Sequence, residues 1–117
     1  TLWADGFTGL YPHIANRCSF VLCSADAWEI AKDFSESRNW NFPVVSGHGS
    51  QFAKAMGYQG EDGSWWPGVS AFRRNPDGTI VRTGGTEFGP GDDFCSIWPF
   101  FDLLEGGPKG WEPKFRY

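Results

Sequence analysis

Apolar positions in the opening stretch TLWADGFTGLYPHIANR recur at Trp3, Phe7, Leu10 and Ile14. Spacings of four, three and four make one stripe and predict a helix. Gly6, Gly9 and Pro12 are poor interior residues, and Pro12 predicts a kink. RCSFVLCSA then reads as a buried strand. DAWEIAKDFSESR follows with a second helical stripe of Ala27, Ile30, Ala31 and Phe34. Its Asp26 and Glu29 have the spacing of a capping box. FPVVS is the next short strand. SQFAKAMG predicts a brief helix between a Ser50 cap and a Gly57 stop. In GVSAFRRNPDGTIVRTGG, two strand-like runs flank Asn75-Pro76-Asp77-Gly78 and predict a β-hairpin. FCSIWPFFDLLE closes the pattern as a helix with Phe94, Trp98, Phe101 and Leu104 on one face and a break at Pro99. The tail GGPKGWEPKFRY is irregular, with Trp111 and Phe115 expected to pack down.

This succession predicts an α/β protein with a mixed sheet and helices on both faces. At 117 residues it is expected to be one domain. Burial of about two-thirds of the unfolded surface would supply a core. Aromatic residues at 18% argue against disorder. A net charge of −4, with Arg73-Arg74 the longest basic run, gives no footprint for nucleic acid or an anionic membrane. No apolar run approaches the roughly 18 residues of a membrane span.

Cys18, Cys23 and Cys95 are odd in number, which disfavours a disulfide scaffold. On an extended strand, Cys18 and Cys23 would lie roughly 16 Å apart on opposite faces, beyond disulfide reach. The plain expectation is buried small hydrophobes in a reducing, cytoplasmic compartment. The histidines and cysteines have no metal-ligand spacing, so no metal and no cofactor is expected. Gly47-His48-Gly49 is not a dinucleotide fingerprint, because Phe52 stands at the third glycine position.

Several stretches together resemble a known family. They are Trp3-Ala4-Asp5-Gly6-Phe7 with Gly9 and His13, Arg17, and Trp40 with Phe42-Pro43-Val44-Val45-Ser46. Gly49-Ser50-Gln51-Phe52 and the hairpin from Pro67-Gly68-Val69-Ser70 to Asp77-Gly78-Thr79 complete the set. The chain resembles the thioredoxin-like family catalogued as domain of unknown function 899, whose members are described as predicted dithiol–disulfide oxidoreductases. The resemblance implies a peroxiredoxin-type three-layer sandwich around a central mixed sheet. It makes residues 1–117 a single thioredoxin-like domain that opens after its first strand. Many members carry a Cys-x-x-Cys-like segment just before the residues matching Thr1-Leu2-Trp3. None of the three cysteines matches that motif, so no catalytic residue is assigned within the chain and the chain alone is expected to be inactive. Acidic and Asn residues found in several members near Gln51 and Ala53 are missing here, and no role is drawn from them.

The resemblance makes Trp66, Pro67 and His48 candidates for a substrate groove, with a cis Trp66–Pro67 bond. Without it, Pro67 is an ordinary trans proline opening a strand. His48, in SGHGS, is either a proton donor in a cleft or a solvent-facing loop residue. His13 more simply caps, packs or bonds a carbonyl than moves protons. Trp65-Trp66 is either an exposed contact surface or, more plainly, a loop folded over the core. Asp92-Asp93 reads as a helix start rather than a catalytic pair. Two functions follow. The first is a relative of thiol–disulfide oxidoreductases, working by thiol–disulfide exchange or peroxide reduction, with a thiol or disulfide of a protein or small molecule as its partner. The second is a non-enzymatic binding or assembly module on the same fold, associating with itself through an exposed sheet edge or apolar face.

Overall fold

A computed structural model describes all residues, 1–117. It is a mixed α/β protein with the order α1 (Leu2–Ala15), β1 (Leu22–Ser24), α2 (Trp28–Ser37), β2 (Val44–Ser46), α3 (Phe52–Met56), β3 (Gly68–Arg74), β4 (Ile80–Glu87) and α4 (Ile97–Asp102). The chain divides into two compact units, Thr1–Gly49 with Gly91–Tyr117, and Ser50–Pro90. Where a mixed sheet was expected, hydrogen bonding makes two ladders of two strands, β1–β2 and β3–β4.

In the first unit, β1 and β2 pair in parallel, with Leu22, Cys23 and Ser24 opposite Val44, Val45 and Ser46. The intervening α2 provides the crossover that parallel strands require. Strand β1 holds only three of the residues expected to be extended, and Cys18 and Cys23 are exposed rather than buried. Cys18 has left the strand for the turn after α1, where its amide donates to the Ile14 carbonyl at 2.9 Å. The capping box also fails to form. Helix α2 is capped by Ala27, without a side-chain bond. Asp26 instead closes a small turn with Ser24, its amide donating to Ser24 Oγ at 3.2 Å. Ala31 and Ser35 are the buried face of α2, while Ile30 points outward.

Helix α1 runs through Pro12. Proline has no N–H for the carbonyl four residues back, which is that of Thr8. Asn41 Nδ2 donates to Thr8 O instead, at 3.0 Å. Beside it the rings of Phe7, Tyr11, Phe20, Phe42, Trp40 and Phe34 are in serial contact, mostly edge to face, with centroids 5.4–6.2 Å apart. Phe42 is the buried member of that series; Ala4, Ala31, Cys95 and Trp98 complete the buried apolar set. Helix α4 is shorter than its stripe predicts. Pro99 falls in its first turn, where the missing N–H costs little, and causes no break. Trp98 is buried there against Trp111, and Phe94 and Leu104 are exposed.

In the second unit, α3 starts one residue later than expected, capped by Gln51, while Ser50 Oγ accepts the Phe52 amide at 3.3 Å. Gly57 ends it at φ 84°, and Tyr58 N–H returns to Ala53 O at 2.8 Å. The hairpin forms as its turn residues predict. Asn75 O accepts from Gly78, which sits at φ 87°. Ala71 faces Gly84 and Phe72 faces Arg82, so Thr83 is the extra residue of a bulge. Tyr58 locks the base of the ladder, its hydroxyl donating to Val69 O at 2.5 Å. Arg82 crosses to Tyr58 Oη and to Met56 O, each at 3.1 Å.

Candidate functional site

The first turn of α1 is joined to distant segments by several polar bonds. Asp5 lies one turn from the start, its amide bonded to Thr1 O at 2.9 Å. Its carboxylate receives two bonds from the Arg38 guanidinium, Nε to Oδ1 at 3.1 Å and Nη2 to Oδ2. Trp40 Nε1 donates to Oδ1 at 2.8 Å. The third arm of the guanidinium, Nη1, donates to the Phe115 carbonyl at 2.6 Å. Local rules at the end of α2 aim these groups. Asn39 takes φ 55°, which Asn tolerates well, and Trp40 N–H returns to Ser35 O while Asn39 N–H returns to Glu36 O. That reversal turns Arg38 and Trp40 back toward α1. Burial of the Asp5 carboxylate opposes its charge. The Arg38 fork, the Trp40 N–H and the Arg38 charge outweigh that penalty and hold the group below the usual aspartate range.

A second carboxylate also steadies this turn. Asp92 Oδ2 accepts Trp3 Nε1 at 2.7 Å, and Oδ1 accepts the amides of Phe94 and Cys95 at 2.8 and 3.1 Å. Asp92 therefore organises the turn ahead of α4, whose own cap is Ser96. Two cavities flank the clamp. One, of about 400 Å³, is lined by Asp5, Thr8, Ser37, Arg38 and Asn39. The other, of about 210 Å³, lies between the first turn of α1 and residues Pro113, Lys114, Phe115 and Tyr117.

The three thiols differ in setting. Desolvation pushes the Cys23 thiol up, away from the thiolate. Cys95 is buried. Cys18 is exposed, with its Sγ 3.7 Å from Ile14 O. No three His, Cys, Asp or Glu side chains converge as a metal site.

The sequence-derived candidates fall in both units. His48 belongs to the first, where its Nδ1 bonds Ala25 O at 3.2 Å. A carbonyl only accepts, so Nδ1 is the donor of that bond. His13 is exposed in the last turn of α1. Trp66 and Pro67 belong to the second unit and lead into β3. The expected cis bond is corrected: every peptide bond is trans. The trans form meets the local bonding, with Trp66 N–H donating to Tyr58 O at 2.9 Å and Pro67 O accepting from Phe88 at 2.8 Å. The Trp65 and Trp66 rings are half exposed and do not fold over a core. Asp5 and Arg38 had no part in the sequence-level site. They are 33 residues apart, and only the resemblance of Trp3 to Phe7 pointed to that turn.

Comparison with known proteins now gives the affiliation. The model of a bacterial protein family of unknown function, DUF899, matches residues 1–115. The chain belongs to that family. No curated protein and no solved structure matches it. No helix of this DUF899 chain is long and apolar enough to cross a membrane.

Proposed function

We propose that this DUF899 chain is a thioredoxin-like domain related to thiol–disulfide oxidoreductases, with chemistry centred on the N-terminal end of α1. The observation that carries the reading is the order of elements: α1, then a parallel β1–α2–β2 crossover, then the short α3, an antiparallel hairpin and a closing helix. A helix N-terminus with unpaired N–H groups favours a thiolate. The Asp5–Arg38–Trp40 and Trp3–Asp92 bonds supply a stiff first turn for it. The reaction is thiol–disulfide exchange. A thiolate attacks a disulfide sulfur, that S–S bond breaks as a mixed disulfide forms, and a second thiol resolves it. None of Cys18, Cys23 and Cys95 lies in the first turn of α1. The substrate class is a protein or small molecule bearing a thiol or disulfide, met in a reducing, cytoplasmic setting.

The test puts a thiol at the helix cap. In a chain carrying Thr1→Cys, absorbance near 240 nm should titrate this thiol below the ordinary value of about 8.5. A value at or above 8.5 would sink the oxidoreductase reading.

A second reading has its own observation. Trp65 and Trp66 are 50% and 55% exposed on a well-bonded loop. Gly60 and Ser64 close that loop at 2.9 Å, and Asp62 Oδ1 accepts the Ser64 amide at 3.0 Å. Ordered exposed indoles suit a binding or assembly module. Sedimentation of the chain against a Trp65→Ser/Trp66→Ser variant reads self-association through this loop; identical monomeric profiles exclude it.

A further inference from the structure

Strand β4 is the longest strand of the protein, at 8 residues, and each of them is exposed. Bonded and non-bonded pairs alternate along an antiparallel ladder. The Asn75–Thr79 bond fixes that alternation at the turn, and the Phe88–Pro67 bond fixes it at the base. Between them Val81, Gly84 and Thr86 turn their main-chain groups toward β3. Arg82, Gly85 and Glu87 turn theirs outward, where no main-chain group meets them. The bulge at Thr83 sets this spacing. In a regular strand Arg82 and Glu87 would lie on opposite faces; here their partners Phe72 and Gly68 share one face, so they do too. Lysine and proline, which commonly blunt an edge, are missing from β4. Its one long cationic side chain, Arg82, is drawn back over Gly85 to Tyr58 Oη and Met56 O.

We propose that β4 pairs with β4 of a second copy of the chain, antiparallel about a twofold axis at Gly85, to make one continuous sheet. The edge is complementary to itself in this register. Gly85 faces Gly85, and Arg82 faces Glu87 on both sides of the axis, each pair exchanging both of its main-chain bonds. Opposite charges then stand across the seam on one face, and Val81 stands across from Phe88 on the other. Glu87, which forms no ion pair within one chain, gains a cationic neighbour. An axis at Arg82 or at Glu87 would instead set like charges face to face. The contact is isologous, so it closes at two copies. The inference uses neither a thiol nor the Trp65–Trp66 loop.

The test uses the full chain. Sedimentation across the micromolar range should show a reversible dimer, weak because one strand edge is a small interface. Glu87→Lys puts like charges across from each other on both sides of the axis and should weaken the dimer at least tenfold. Glu87→Pro should do the same, because that N–H points outward and its loss removes bonds of the seam but none of the hairpin. Glu105→Lys, the same charge change on an exposed residue of the first unit, should leave the dimer intact, and so should Trp65→Ser/Trp66→Ser. Hydrogen exchange locates the seam. The amides of Arg82, Gly85 and Glu87 should exchange slowly in concentrated protein and freely on dilution, while those of Val81 and Thr86 stay slow in both. A monomer throughout, a dimer that keeps its affinity in the Glu87 variants, a dimer lost in either control, or no concentration dependence at the outward amides would each overturn the proposal. The Glu87 side chain is exposed and forms no ion pair in the single chain, so Glu87→Lys reads the edge and not the fold.

Discussion

The two units hold themselves together in different ways. The first buries Ala4, Ala31, Phe42, Cys95 and Trp98 and crosses its elements with long-range polar bonds such as Arg38–Asp5 and Trp3–Asp92. The second buries no apolar residue to that degree. Every residue of β4 is exposed, and Phe72, Ile80 and Val81 of the hairpin face solvent. What fixes the second unit is local: a glycine-stopped helix, an Asn-Pro-Asp-Gly turn and the Tyr58–Arg82 lock. One unit depends on side chains far apart in sequence, the other on backbone geometry and turn chemistry. Substitutions should therefore hurt the first through lost contacts and the second through lost space.

Phe42→Ala should give the largest effect. It removes a buried ring touching Trp40, Tyr11 and Phe20, and should cost about 3–4 kcal/mol. Urea unfolding followed by tryptophan fluorescence measures it. A loss below about 1 kcal/mol would show that the first unit has no true core. Asp5→Ala comes next, at about 2 kcal/mol, because it strands the Trp40 N–H and the Arg38 fork in a half-buried place. The pH dependence has a definite sign. The folded Asp5 pKa lies below the usual value of about 3.9, so its contribution is complete above that pH and disappears as pH falls through the folded value. The unsubstituted chain should lose stability below about pH 4 more steeply than Asp5→Asn does.

Gly68→Ala tests the second unit, at about 1–3 kcal/mol. An added Cβ would meet Tyr58 Cε1 and the Thr86 carbonyl at 2.6 Å or closer, and the latter is backbone. Gly84→Ala, with nothing within 4 Å, is the matched control. Similar losses for both would refute the spatial argument. The smallest effect belongs to Ile80→Thr. At 62% exposure it should stay within about 0.5 kcal/mol, and a larger loss would mean that the hairpin face is covered in solution.

The same contrast separates what the sequence disclosed from what it withheld. The hairpin, the Gly57 stop and the alternation of helices and strands were legible, because each is written in neighbouring residues. The capping box at Asp26 was misread because Ser24, two residues back, offered a nearer hydroxyl. Cys18 looked buried because an apolar run does not reveal where a strand starts, and Cys23 because it does not reveal that one face of the strand is left open. The cis bond at Pro67 was implied by resemblance, and the loop bonds around it are met in trans. The clamp at Asp5 was hidden because its partners lie 33 and 35 residues away. Nothing in the local pattern around Arg38 separates it from a solvated surface arginine.

Pro12 has one more consequence. An ordinary helix closes its backbone bonds upon itself and can slide or rotate against its neighbours without changing them. By withholding one hydrogen, Pro12 opens a single acceptor on α1, and Asn41 is the key that fits it. A slip of one residue would carry that acceptor about 1.5 Å along the axis and about 100° around it, out of reach of the amide. The defect gives α1 a unique seating on the segment that leads into β2, an index mark that an unbroken helix lacks.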